Sequence, residues 1–189
     1  MPNLSRYASL NTWIAASALA LTLHLPAQAQ ERFSITTPGG TENSLFSQAN
    51  AGNASDCGGQ NLSPALSWNS PPPGTRSFAI VMHDPDGQKG LGVDHWVHYG
   101  FAANTRKVPK SVENNPKMEG KSGKNSRGTS EYMGPCPPVG DSPHHYVIQL
   151  YALDLDPDAL PADLSRTELL EKIKGHILAN ASVVRRYQR

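Results

Sequence analysis

The chain has 189 residues, a length that suits one domain plus a targeting segment. Its 17 basic and 16 acidic residues leave a formal net charge of +1, which gives no global field to attract nucleic acid or an anionic membrane. Sixteen Gly and sixteen Pro point away from a helical bundle and toward a loop-rich, mostly β protein.

Residues 1–29 read as a secretory signal peptide. Arg6 gives a positive start, residues 13–25 form an uncharged apolar run, and Ala27-Gln28-Ala29 is a small-x-small cleavage site. The run is shorter than the ~20 residues of a spanning helix, and Asn11, His24 and Pro26 interrupt or bound it. Cleavage after Ala29 predicts one domain, residues 30–189, in the periplasm or outside the cell, with no stable membrane insertion. Arg6 is the only charged residue removed, so the mature chain is charge-balanced.

Phe33-Ser34-Ile35 and Leu66-Ser67-Trp68 are short strand candidates, the second stopped by Pro71-Pro72-Pro73-Gly74. Residues 77–82 are a near-continuous apolar run, the signature of a strand buried on both faces. Residues 95–101 alternate ring and aliphatic side chains and predict another strand. Residues 110–131 form a long polar loop carrying Lys117, Lys121, Lys124 and Arg127 against Glu119, a solvated segment or a docking surface for a protein partner. Residues 146–153 predict a second core strand. Residues 167–187 hold no Pro and one Gly, and their apolar residues fall on a helical stripe, predicting a C-terminal helix capped by Ser165 or Asp163.

Cys57 and Cys136 are the only cysteines. An even count in an exported chain favours one disulfide over two free thiols, and no His stands close to either in sequence to suggest zinc.

Four segments place ionisable or ring side chains beside rigid backbone: Asp84-Pro85-Asp86, His95-Trp96, Gly134-Pro135-Cys136-Pro137-Pro138 and His144-His145-Tyr146. Asp84 and Asp86 follow the end of a buried strand, where an Asx-type turn is one reading. His95 and His144 open the next predicted strands. Three strand ends bearing titratable groups, if they converge, form a pocket in which carboxylates raise the pKa of neighbouring imidazoles.

These segments also resemble a known family. The series Gly59-x-Asn61-x-Ser63-Pro64-x-Leu66-x-Trp68, Pro73-Gly74-Thr75-x-Ser77-Phe78-Ala79, Asp84-Pro85-Asp86, His95-Trp96, Tyr132-x-Gly134-Pro135-Cys136-Pro137-Pro138-x-Gly140 and His144-x-Tyr146 resembles the phosphatidylethanolamine-binding proteins. More narrowly, it is similar to their bacterial Raf-kinase-inhibitor-like branch. The resemblance implies an antiparallel β-sandwich of two sheets with a few peripheral helices. It also implies a small cavity for phosphate-like anions, in which Asp84, Asp86, His95, Gly134, Pro137, His144 and Tyr146 contact the ligand. On this reading a Cys57–Cys136 disulfide clamps the cavity rim.

Three positions depart from the family pattern. Gly87-Gln88 stands where Ala-Pro is usual, His145 where Arg is common, and Ala181-Ser182 precede the terminal Val-Val-Arg-Arg-Tyr187 where relatives often have Gly. A small anionic or zwitterionic ligand is the expected partner, with a protein partner as a further expectation and no cofactor or metal implied. Binding is favoured over hydrolysis by an Asp–His pair, because no Gly-x-Ser-x-Gly elbow and no His-Glu-x-x-His occurs. A kinase- or protease-inhibitor-like interaction module is the third reading.

Overall fold

The computed structural model describes residues 31–39, 42–54, 56–111 and 119–189. The expected signal peptide and its cleavage site lie outside the described residues. Two antiparallel sheets make up the domain. The smaller joins β1 (Ser34–Thr36), β2 (Leu66–Asn69) and β5 (Lys107–Val108), in the order β1-β2-β5. The larger joins β6 (Lys121–Ser122), β4 (Val93–Ala102), β3 (Ser77–Asp84), β7 (His144–Leu153) and β8 (Ile177–Tyr187), in the order β6-β4-β3-β7-β8.

Why β3 reads as a continuous apolar run is now visible. Phe78, Ile80 and Met82 join Trp68, Trp96, Phe101 and Ile148 in the main core. Ala79 and Val81 face the other way and pack with Tyr99, Leu164, Leu169 and Ile173. A strand covered on both faces has no solvent side on which to place polar residues. Leu169 and Ile173 belong to α2 (Arg166–Ile173), the helix after the one-turn α1 (Gly87–Gly90), and it shields the second face.

The expected C-terminal helix is half right. α2 starts at Ser165 with a capping box, in which the Ser165 side chain accepts from the Glu168 backbone and the Glu168 side chain accepts from the Ser165 backbone. It ends at Ile173, and Gly175 takes φ +85°, a left-handed conformation that stops a helix. Residues 177–187 then form β8, paired antiparallel with β7 from His144↔Tyr187 to Leu153↔Ile177. The apolar stripe misled because, past Gly175, Ile177 and Leu178 are exposed and Val183 is the one buried apolar residue. The hydrogen-bonding edge of β7 outweighs the weak helical preference of this segment.

Candidate functional site

Antiparallel pairing brings three strand termini to one end of the larger sheet. β3 ends at Asp84, paired with Val93 at the start of β4, while His83 pairs with Val147 near the start of β7. His95 and His144 therefore stand beside Asp84. All three are buried, at 3–7% exposure, beneath a cavity of about 240 Å³.

Asp84 organises this group. One carboxylate oxygen accepts from the backbone N–H groups of Asp86 (2.9 Å) and Gly87 (3.1 Å). These bonds make the turn after β3 the Asx-type turn that the sequence allows. The other oxygen accepts from Nδ1 of His144 at 2.8 Å and lies 3.9 Å from Nε2 of His95. The turn motif and the pocket are thus built from the same carboxylate.

His95 donates from Nδ1 to the Met133 carbonyl at 2.6 Å. This bond fixes the ring and directs Nε2 toward Asp84. The ring meets Tyr146 edge-on, with centroids 5.1 Å apart. His144 lies between two acids, with Nε2 3.5 Å from Asp141.

The electrostatics follow from this arrangement. Burial favours the neutral carboxyl of Asp84, but the His95 and His144 imidazoles and the Asp86 N–H outweigh it and hold its pKa below 3.8. Burial pushes His144 down, but Asp84 and then Asp141 and Asp86 reverse that and raise it above 6.5. Burial, with the charges of Asp84 and Asp86, pushes the Tyr146 phenol far above its ordinary value.

Of the seven expected ligand contacts, Asp84, His95, Gly134, Pro137, His144 and Tyr146 line the cavity. Asp86 does not. Its Oδ2 accepts from the His145 backbone N–H (2.7 Å) and faces the His145 imidazole (2.9 Å), in a half-exposed pair that ties the β3–β4 turn to β7. His145 thus pairs with an acid at the position where the family pattern more often has Arg. Tyr187 packs against the main core rather than lining the cavity.

The Gly-Pro wall works differently from a nest of backbone donors. The Met133 N–H goes to the His95 carbonyl, and the Gly134 N–H to Oδ1 of Asn61 at 2.7 Å. Pro135, Pro137 and Pro138 have no N–H. Gly134 is required by close approach, since a Cβ there would lie 2.5 Å from the Asn50 carbonyl and the Gly52 nitrogen.

The wall is held from behind by the disulfide Cys57–Cys136. Arg189 adds a second tie, donating to the Pro137 carbonyl at 2.6 Å and to the Asp56 carbonyl. Asp56, Cys57 and Cys136 lie close together, but both sulfurs are joined to each other and cannot act as thiolate ligands to a metal.

The sequence alone did not mark Val93, Ser126, Arg127 and Met133 as cavity residues, whereas Gly87-Gln88, expected in the wall, do line it. The signal for two of them was the Asn125-Ser126-Arg127-Gly128 turn inside the long polar loop.

The fold and site define a two-sheet antiparallel β protein with an acid–imidazole cavity at one sheet end. A family model described as phosphatidylethanolamine-binding protein matches residues 37–188. A UPF0098 protein of Aquifex aeolicus is 37% identical over 134 residues, 70% of this chain and 78% of the relative. The crystal structure of Escherichia coli YbcL, described as a new member of the mammalian PEBP family, superposes with a TM-score of 0.76. It is 27% identical and covers 85% of this chain and 99% of that chain. A Mycobacterium tuberculosis protein named lipoprotein LppC is 40% identical over 107 residues, 54% of this chain and 51% of the relative. The chain belongs to the phosphatidylethanolamine-binding protein family.

Proposed function

We propose that the protein is an exported binding protein for a small phosphate-bearing ligand, of the kind found in a phospholipid head group. The observation that carries this reading is the cavity, where Asp84 holds the imidazole of His144 beneath an opening large enough for a phosphoryl group and a few attached atoms. Imidazole and guanidinium groups meet the oxyanion, while the buried carboxylate accepts from a ligand ammonium. A zwitterion such as phosphorylethanolamine satisfies both signs of charge.

Binding is favoured over catalysis by what the lining lacks in reactivity. Cys136 is in a disulfide, and the Tyr146 phenol is held protonated by burial and by Asp84. Export is supported by the leader-like first 29 residues, by the disulfide, and by the lipoprotein name of one relative. Calorimetry with phosphorylethanolamine tests the reading: saturable one-site binding is expected, and its absence at millimolar ligand contradicts it.

A further inference from the structure

Arg127 is the one permanently charged cation lining the cavity, among the described residues. Its position is built rather than incidental. Asn125 is buried and its amide shapes the surrounding turn. Its oxygen accepts from the N–H groups of Arg127 (2.9 Å) and Thr129 (3.3 Å), and its nitrogen donates to the Thr129 hydroxyl (2.8 Å) and the Glu131 carbonyl (3.0 Å). Ser126 fastens the turn to β4: its N–H donates to the Asp94 carbonyl, and its hydroxyl accepts from the Asp94 N–H. A turn fixed at this many points places Arg127 at the cavity mouth.

Among the described residues no ion pair or side-chain hydrogen bond engages its guanidinium. The nearby acids already have imidazole partners within the protein. Asp84 is paired with His144, and Asp94 with His83 at 2.7 Å. The wall has one backbone N–H to offer an anion, that of Cys136, because Met133 and Gly134 use theirs internally and three of its residues are proline. An oxyanion in this cavity therefore draws mainly on side-chain donors beside the Cys136 N–H, and Arg127 has five N–H groups in a planar fork suited to two phosphoryl oxygens.

We propose that Arg127 is the oxyanion-contacting cation of the cavity and sets its preference for a doubly charged terminal phosphate over a singly charged anion. The inference rests on the binding reading above and names the ligand class more closely. The shared chemistry is a phosphomonoester dianion, either free phosphate or the phosphate of a cleaved head group.

The test compares the purified protein with Arg127→Ala and Arg127→Lys by calorimetry at pH 8 and low salt, using inorganic phosphate, phosphorylethanolamine and acetate. Arg127→Ala should weaken both phosphates about tenfold, as expected for loss of a charge-assisted contact. It should leave acetate within about twofold and the thermal midpoint unchanged, because the turn is held by Asn125 rather than by the guanidinium. Arg127→Lys should recover part of the loss through its charge, without the bidentate geometry. Equal phosphate affinity in the wild type would mark the free ion as ligand, and tighter phosphorylethanolamine the head group. Either result supports the proposal when accompanied by the Arg127→Ala loss. Phosphate binding that survives Arg127→Ala unchanged overturns the proposal and leaves the binding reading intact. A wild type that binds neither phosphate overturns both.

Discussion

The imidazole of His144 donates to the Asp84 carboxylate at 2.8 Å across sixty residues of chain, joining the end of β3 to the start of β7. Both groups are buried, so the pair draws strength from low dielectric and incurs a matching desolvation penalty. Removing one partner is then far worse than exchanging both. Asp84→Ala leaves His144 against Asp141 alone and also frees the N–H groups of Asp86 and Gly87. We predict a loss of about 3 kcal/mol, measured by urea unfolding at pH 6. A loss below about 1 kcal/mol would show that the pair is not an organising contact.

The same pair sets a pH dependence from both sides. Asp84 has its pKa lowered by folding, so its contribution is present above the unfolded value of 3.8 and is lost as pH falls through the folded value. His144 has its pKa raised, so its contribution is present below the unfolded value of 6.5 and is lost as pH rises through the folded value. Both are present together between these two unfolded values. Urea midpoints across pH 3–9 should peak in that window, and His144→Asn should flatten the alkaline decline. A variant that declines as steeply as the wild type would place the titration elsewhere.

Gly87 stands where the family pattern has Ala, and the structure gives a local reason. A Cβ at this position would lie 2.6 Å from Cγ2 of Val93 and 3.1 Å from the Asp84 carboxylate. The next two residues, Gln88 and Lys89, take φ +51° and +59°, so the turn after β3 follows an unusual path. Gly87→Ala is predicted to destabilise by about 1–3 kcal/mol through overpacking and to weaken phosphate binding by displacing Asp84. Wild-type affinity and stability in that variant would show that the turn relaxes freely.

Cys57 and Cys136 are 79 residues apart and hold the wall from behind. Replacing both by Ser should cost roughly 4 kcal/mol in the chain-entropy model and loosen the face formed by Pro137 and Pro138. Thermal melts with and without reductant, alongside phosphate titrations, measure both effects. Identical melts for the oxidised and reduced wild type would show that the bridge does not clamp the wall.

Sequence revealed the strands more readily than the end of the chain. β3 announced itself because burial on both faces leaves a solid apolar run, and β4 and β7 followed from their aliphatic and aromatic content. The segment after Gly175 was opaque, because its stability comes from pairing with β7 and not from its own pattern. The acid and imidazole groups of the cavity were legible, since Asp-Pro-Asp and the two His residues sit at strand ends where chemistry is concentrated. What Asp86 does was not legible: its bonds to His145 depend on the register between β7 and the β3–β4 turn. Arg127 lay hidden in a polar loop, because its place in the cavity lining depends on how Asn125 shapes the turn of that loop.

Binding of a phosphate-bearing ligand in this cavity can be read residue by residue in an NMR titration of the purified protein with phosphorylethanolamine. Saturable shifts should centre on Asp84, His95, Arg127, Cys136 and the ring of His144, with the smaller sheet unmoved. No shifts at millimolar ligand, or shifts confined to residues outside the cavity, would contradict it.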